Sequence, residues 1–405
     1  MSEWKKVKLG EIAITIQTGP FGSQLHQSDY SEFGTPVVMP KDIVNGKIDV
    51  STIARVESYH IERLSRYKIT EGDILYARRG DVGKCVYIED YQEGWLCGTG
   101  CLRVKIDIAK ALPKFVFFWL QKKEIIGWIE KHAIGATMLN LNTSILSNVP
   151  IDLPPIETQN RIATILSRYD SLIENYQKQI KLLEEFAQRL YKEWFIDFRF
   201  PGHENAKIVD GIPEGWEKKK IKDLVDLKSG YAFKSSTFVE KGEYKIVTIK
   251  NVKDGSFDGE NVSFLNFVPE KIPSHCFLHT GDILLSLTGN VGRVCMVVGD
   301  YYLLNQRVAK LESNFPAFTY CLFRFYDTFV AINNLANGAA QQNVSPIRIG
   351  DLNIIIANDD IMHRFENVAE NIRINILNLS LQIRYLTEAR DRLLLKLMSG
   401  EKYFN

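Results

Sequence analysis

The chain has 405 residues, 45% of them apolar, with a formal net charge of +1 and a pI of about 7.6. This length exceeds what one hydrophobic core supports and the apolar share excludes disorder, so two or three compact domains are expected. No stretch offers the roughly 18 to 20 uninterrupted apolar residues of a membrane helix, and residues 1–6 lack the apolar core of a secretion signal, so the expectation is a cytoplasmic protein with no membrane partner.

A near-neutral charge means that any surface attracting a polyanion is local. Six cysteines (Cys85, Cys97, Cys101, Cys276, Cys295, Cys321) at irregular intervals, without a C-x-x-C pair, fit reduced buried thiols better than a disulfide framework or a zinc site.

In chain order the elements come twice, with a period of roughly 200 residues, far longer than a solenoid unit. The first copy opens on Trp4-Lys5-Lys6-Val7-Lys8-Leu9 and the second on Trp216-Glu217-Lys218-Lys219-Lys220-Ile221. Thr18-Gly19-Pro20-Phe21 is echoed by Ser229-Gly230-Tyr231-Ala232, and Pro36-Val37-Val38-Met39-Pro40-Lys41 by Tyr244-Lys245-Ile246-Val247-Thr248-Ile249-Lys250. The strongest echo is Gly72-Asp73-Ile74-Leu75-Tyr76-Ala77-Arg78-Arg79-Gly80-Asp81-Val82-Gly83 against Gly281-Asp282-Ile283-Leu284-Leu285-Ser286-Leu287-Thr288-Gly289-Asn290-Val291-Gly292. Further on, Gly135-Ala136-Thr137-Met138-Leu139-Asn140 corresponds to Gly338-Ala339-Ala340-Gln341-Gln342-Asn343. Short apolar runs at 73–76 and 282–285, bounded by turn residues, read as strands. Aromatic-rich stretches at 115–121 and 318–325 read as helices, so each copy is a mixed α/β domain.

After each copy comes a long amphipathic segment, starting near Pro155 and near Asn358, where Pro, Asn and Asp suit a first helical turn. From Ile162 and Leu166 through Ile173, Ile180, Leu183 and Leu190 to Trp194, apolar residues alternate spacings of four and three, a heptad seam. A second seam runs in register from Phe365 and Ala369 through Ile376, Ile383 and Leu386 to Leu397, broken by Arg390 alone. Pro201-Gly202 and Gly400 are the expected stops. Each helix has a partner in the same chain, so an intramolecular antiparallel coiled coil is expected, with a homodimeric coiled coil as the alternative. The class is α/β (α+β), divided into residues 1–155 (first α/β domain), 156–200 (central helical spacer), 201–357 (second α/β domain) and 358–405 (C-terminal helical spacer).

Signatures of catalysis are absent from the sequence. There is no G-x-x-x-x-G-K-[ST] phosphate loop, and Leu153-Pro154-Pro155-Ile156 lacks the Asn or Asp of an amino-methyltransferase N-P-P-[YF] pocket. Glu217-Lys218-Lys219 imitates a nuclease E-x-K but reads as a solvated charge run. His275 and His279 are the one ligand-spaced histidine pair, placed just before a strand, and carry little weight as a metal site.

This layout of α/β domain, long helix, α/β domain and long helix resembles the specificity subunit of type I restriction-modification enzymes over essentially the whole chain. The marks are the two Gly-Asp-Ile-Leu motifs, the helix start Leu153-Pro154-Pro155-Ile156-Glu157-Thr158-Gln159-Asn160-Arg161-Ile162-Ala163, the linker Trp194-Phe195-Ile196-Asp197-Phe198 and the terminus Leu397-Met398-Ser399-Gly400-Glu401. The resemblance implies two target-recognition domains, each reading one half of a bipartite double-stranded DNA site. The helices would set the gap and hold two modification subunits that methylate adenine, and ATP-dependent restriction subunits would join them. It implies no cofactor on this chain, with S-adenosylmethionine, ATP and Mg²⁺ on the partner subunits. A coiled-coil protein adaptor and an autonomous restriction or modification enzyme are the alternatives.

If two half-sites differ while the scaffold is common, base readers belong among the polar positions the copies do not share. Arg suits guanine, and Asn or Gln suits adenine. The candidates are Lys41, Arg78 and Arg79, with Gln17, Thr18, Asn140 and Asn142, in the first copy. In the second they are Lys250, Thr288, Asn290, Gln341, Gln342 and Asn343. For each, a solvated turn residue is the competing reading.

Overall fold

The computed structural model describes residues 4–135, 138–336 and 342–399. They fall into two compact units, one drawn from residues 1–172 and 387–405 and the other from residues 173–386.

The main sheet of the first unit has strand order Ala13–Thr18, Cys101–Ile106, Ile74–Ala77 and Cys85–Tyr87, all antiparallel. In the second unit Asp226–Ser229, Val308–Glu312, Ile283–Ser286 and Val294–Met296 repeat that order and sense. A smaller sheet accompanies each. Thr35–Val38 runs parallel to Leu96–Cys97, and Tyr244–Val247 runs parallel to Tyr302–Leu304. Helices Pro113–Leu120 and Pro316–Arg324 begin two residues before the expected stretches because a proline occupies the first turn of each, where its missing N–H costs nothing. Two similar mixed α/β domains are therefore built from the two sequence copies.

The shared Gly-Asp-Ile-Leu motif is scaffold. Ile74–Ala77 and Ile283–Ser286 are buried along their whole length. The aspartate before each closes the preceding turn, with the Thr70 N–H donating to Asp73 at 2.9 Å and the His279 N–H donating to Asp282 at 2.8 Å. A cation on the neighbouring strand faces each carboxylate, Lys310 at 3.1 Å from Asp282 and Arg103 at 3.9 Å from Asp73. Burial still raises the Asp73 carboxyl above its ordinary range, outweighing the Thr70 bond and the Arg103 charge.

The central helix spans Ile156–Tyr191 and the C-terminal helix Asp359–Leu397. Buried Gln159 fixes the first start, accepting from the Leu112 N–H and donating to the Pro154 carbonyl, both at 2.8 Å. Asn358 caps the second, its side chain accepting from the Ile361 N–H at 3.1 Å, at a start where Ala357-Asn358 stands in place of the Pro154-Pro155 pair of the first. Within the first unit Ile162, Ala163 and Leu166 share a core with Leu397 and Met398. Within the second unit Ala187, Tyr191 and Trp194 share one with Phe365 and Ala369. The start of one helix packs against the end of the other in each case, which is antiparallel pairing. Arg390, the polar break in the seam, donates to Asp170 of the facing helix at 2.9 Å.

The central helix stops short of Pro201-Gly202. It passes into a π-turn at Lys192–Ile196, and Phe198 takes the left-handed conformation (φ 56°) that ends it. Packing supplies the reason. Widening the last turn seats Phe195 among Phe318 (ring centroids 4.8 Å apart), Phe365 (4.9 Å) and Trp216 (5.6 Å).

All six cysteines are buried and unpaired. Among the described residues no helix is long and apolar enough to cross a membrane, and no cluster of His, Cys, Asp or Glu could hold a metal ion.

Candidate nucleic-acid interface

Three strand ends converge at one end of the first unit's main sheet, where Thr18 pairs with Leu102 and Ala77 with Cys101. Just beyond, the Gly19 N–H donates to the Cys101 carbonyl at 2.9 Å and the Arg78 N–H to the Gly100 carbonyl at 2.7 Å. A fourth segment closes on them, since the Gly80 N–H donates to Leu139 O at 3.1 Å and the Leu141 N–H to Arg78 O at 2.8 Å. Arg79 and Asn140 thereby become bridge partners.

The second unit repeats the construction. Gly230 N–H donates to Val308 O at 3.1 Å, Leu287 N–H to Arg307 O at 3.0 Å, Gly289 N–H to Gln342 O at 2.8 Å and Val344 N–H to Leu287 O at 3.0 Å. Thr288 is the bridge partner of Asn343. Glycine is required where the first strand leaves the sheet. A Cβ at Gly19 would collide with the Gly98 carbonyl, and one at Gly230 with the Leu304 carbonyl.

The structure thus brings Thr18, Arg78, Arg79 and Asn140 together at one rim, and Thr288, Asn290, Gln342 and Asn343 at the other. Lys41 and Lys250 are exposed on the turns that follow Thr35–Val38 and Tyr244–Val247. The Pro40 ring lies beside Gly100 and the Ile249 side chain beside Gly289, so both turns border their rims. Lys41 reaches the Thr52 carbonyl at 3.4 Å.

Besides Lys41, four candidates have their side chains engaged internally. Gln17 donates to the Arg66 carbonyl at 2.9 Å, and Asn142 caps helix Thr143–Ser147 by accepting from the Ile145 N–H at 2.8 Å. Buried Thr288 donates its hydroxyl to Asn343 at 2.8 Å. Gln341 lies outside the described residues. Elsewhere, His275 lies 2.9 Å from the Ser229 carbonyl oxygen, and Glu217 pairs with Lys219 at 2.9 Å on an exposed strand.

The two rims differ chemically. In the first, half-buried Arg78 lies with its guanidinium carbon 6.0 Å from the centre of the exposed Phe21 ring, a cation on an aromatic shelf. Arg78 Nε, Thr99 Oγ1 and Asn140 Oδ1 are buried there and have no hydrogen-bond partner among the described residues. In the second rim an apolar Leu287 stands where the first has Arg78. Such arrays of guanidinium, amide and hydroxyl groups match hydrogen-bonding base edges, whereas no nucleophile is paired with a base among the candidates. Sequence comparison overlooked Phe21, Thr99 and the run Asn305-Gln306-Arg307. The available signal was a polar tripeptide between two apolar strands.

A family model for the type I restriction modification DNA specificity domain matches residues 1–185 and 213–381, one match for each copy. The chain is 27% identical over 415 residues to the type I restriction enzyme MjaIX specificity subunit of Methanocaldococcus jannaschii, covering 98% of this chain and 92% of that protein. It is 23% identical over 469 residues to the HindI specificity subunit of Haemophilus influenzae, covering 99% of this chain and 100% of that one. The crystal structure of a type I restriction-modification S subunit from M. genitalium has the same fold, with a TM-score of 0.61 at 17% identity over 98% of this chain and 97% of that chain.

Proposed function

Because this chain belongs to the type I restriction-modification DNA specificity family, we propose that each α/β unit reads one half of a bipartite double-stranded DNA target through the rim at the end of its main sheet. One observation carries this reading. The scaffold of the two rims is the same, down to the glycine and the four converging segments, while the polar side chains mounted on it differ. A common frame with unlike donors and acceptors suits the reading of two unlike half-sites.

The chain supplies sequence reading and no chemistry. Two modification subunits methylate adenine with S-adenosylmethionine, and restriction subunits use ATP and Mg²⁺. The paired helices hold the modification subunits, and their length determines the unread gap. A central helix of 36 residues extends about 54 Å at 1.5 Å per residue, compared with about 34 Å for one DNA turn.

Selection from randomised duplexes by the chain bound to its modification subunits tests this. Two short fixed blocks separated by an unread gap are expected; one continuous block, or no enrichment, contradicts it.

A further inference from the structure

Superposing the two rims strand by strand places Arg78 opposite Gly100 in the first unit and Leu287 opposite Arg307 in the second. The ladders fix this equivalence, since Ala77 pairs with Cys101 and Ser286 with Val308, and the next rung is Arg78 N–H to Gly100 O or Leu287 N–H to Arg307 O. The guanidinium has changed strands. Where the first unit has arginine on the central strand and no side chain across from it, the second has a buried leucine there and arginine across from it.

Side chains on facing residues of adjacent strands originate about 5 Å apart, within reach of an arginine, so either placement delivers a guanidinium to the same part of the rim. Arg307 is exposed, and its side chain makes no hydrogen bond or ion pair among the described residues, in contrast to Lys310 three rungs inward, which is held by Asp282 and Glu312. Asn305 braces the segment, accepting from the Arg307 N–H at 3.3 Å.

We propose that Arg307 is a specificity-determining residue of the second unit, reading a guanine in its half-site as Arg78 does in the first. This inference rests on the rim being the DNA-reading surface. Nothing in the aligned motifs indicates it, because the motif alignment sets Leu287 against Arg78 and leaves Arg307 without a counterpart.

The test compares Arg307→Ala and Arg307→Lys with the unaltered chain, each assembled with its modification subunits and offered a plasmid library randomised across both half-sites. Thermal melting checks that both variants fold. A bidentate guanine reader predicts that both variants lose preference at one base of the second half-site, by roughly 5- to 150-fold, with the first half-site unchanged. Lysine does not restore it, since it lacks the planar fork. A lysine variant that behaves as the parent, with alanine weakening all sequences alike, would make Arg307 a phosphate contact and overturn the proposal. Unchanged methylation by Arg307→Ala would also overturn it. If Arg78→Ala, tested in parallel, also leaves both half-sites intact, the rim itself is not the reading surface.

Discussion

Arg78 and Arg79 are adjacent in sequence but differ in setting, and that difference predicts different losses. Arg78 is half-buried, borders Phe21 and shares its surroundings with buried, unpartnered Thr99 and Asn140 atoms, whereas Arg79 is exposed on the bridge to Asn140. A guanidinium so confined suits one base edge. Arg78→Ala should therefore cost about 1–3 kcal/mol on the target and much less on DNA mismatched at that base. Phe21→Ala removes the aromatic shelf and should cost about 0.5–1 kcal/mol, and the double variant should lose less than the sum because both act on one contact. Arg79→Ala should weaken target and non-target DNA alike and lower the slope of log K against log salt by about 0.9, one phosphate contact. Fluorescence anisotropy with labelled duplexes, titrated over salt with the assembled complex, separates these outcomes. Uniform weakening by Arg78→Ala with unchanged base preference would refute the assignment.

Other consequences concern the frame. Glu184 is buried against Tyr320 and Arg324, and burial raises its carboxyl above the ordinary 4.5 despite the Arg324 charge. The folded chain therefore holds that proton more tightly than the unfolded one, and the contribution of this group to stability falls as pH rises above about 4.5. Glu184→Gln should flatten the stability profile there, and Glu184→Ala should cost about 1–3 kcal/mol at pH 7 by leaving the buried Tyr320 hydroxyl without its acceptor while Arg324 keeps Asp254; denaturant unfolding that shows neither effect would refute the description. Burial pushes the Cys85 and Cys97 thiols up to about 12, so at pH 8 roughly one molecule in ten thousand carries either thiolate and neither should react with Ellman's reagent until the chain unfolds. Rapid labelling of the native chain would contradict this. One heptad inserted after Gln179 and another after Gln382 keep both seams in register and add about 10 Å, or about three base pairs, so methylation mapping should find unchanged half-sites, a longer gap and weaker modification. Methylation confined to the original spacing would show that helix length does not determine the gap.

The duplication, the Gly-Asp-Ile-Leu strands and the helical seams were legible because buried positions repeat with the periods of strand and helix. What escaped depended on tertiary neighbours. The end of the central helix is governed by where Phe195 finds its aromatic partners, which overrides the stop signal at Pro201-Gly202. Arg390 looked like a flaw in the seam until its facing residue proved to be Asp170. Asn142 and Gln17 were reasonable polar candidates, but a local helix cap and a distant carbonyl engage their side chains. Arg307 could not be singled out, since only the hydrogen-bond ladder shows that it faces Leu287 across a strand boundary.

The central claim is that each rim reads its own half-site. Its most direct test gives the first rim the residues of the second, Arg78→Leu with Arg79→Thr, and maps methylated adenines across the genome of cells expressing the altered chain with its modification subunits. The account predicts that the first half of the recognised sequence loses or changes its bases while the second half and the gap stay as in cells expressing the unaltered chain. A change in both halves, or in neither, would contradict it.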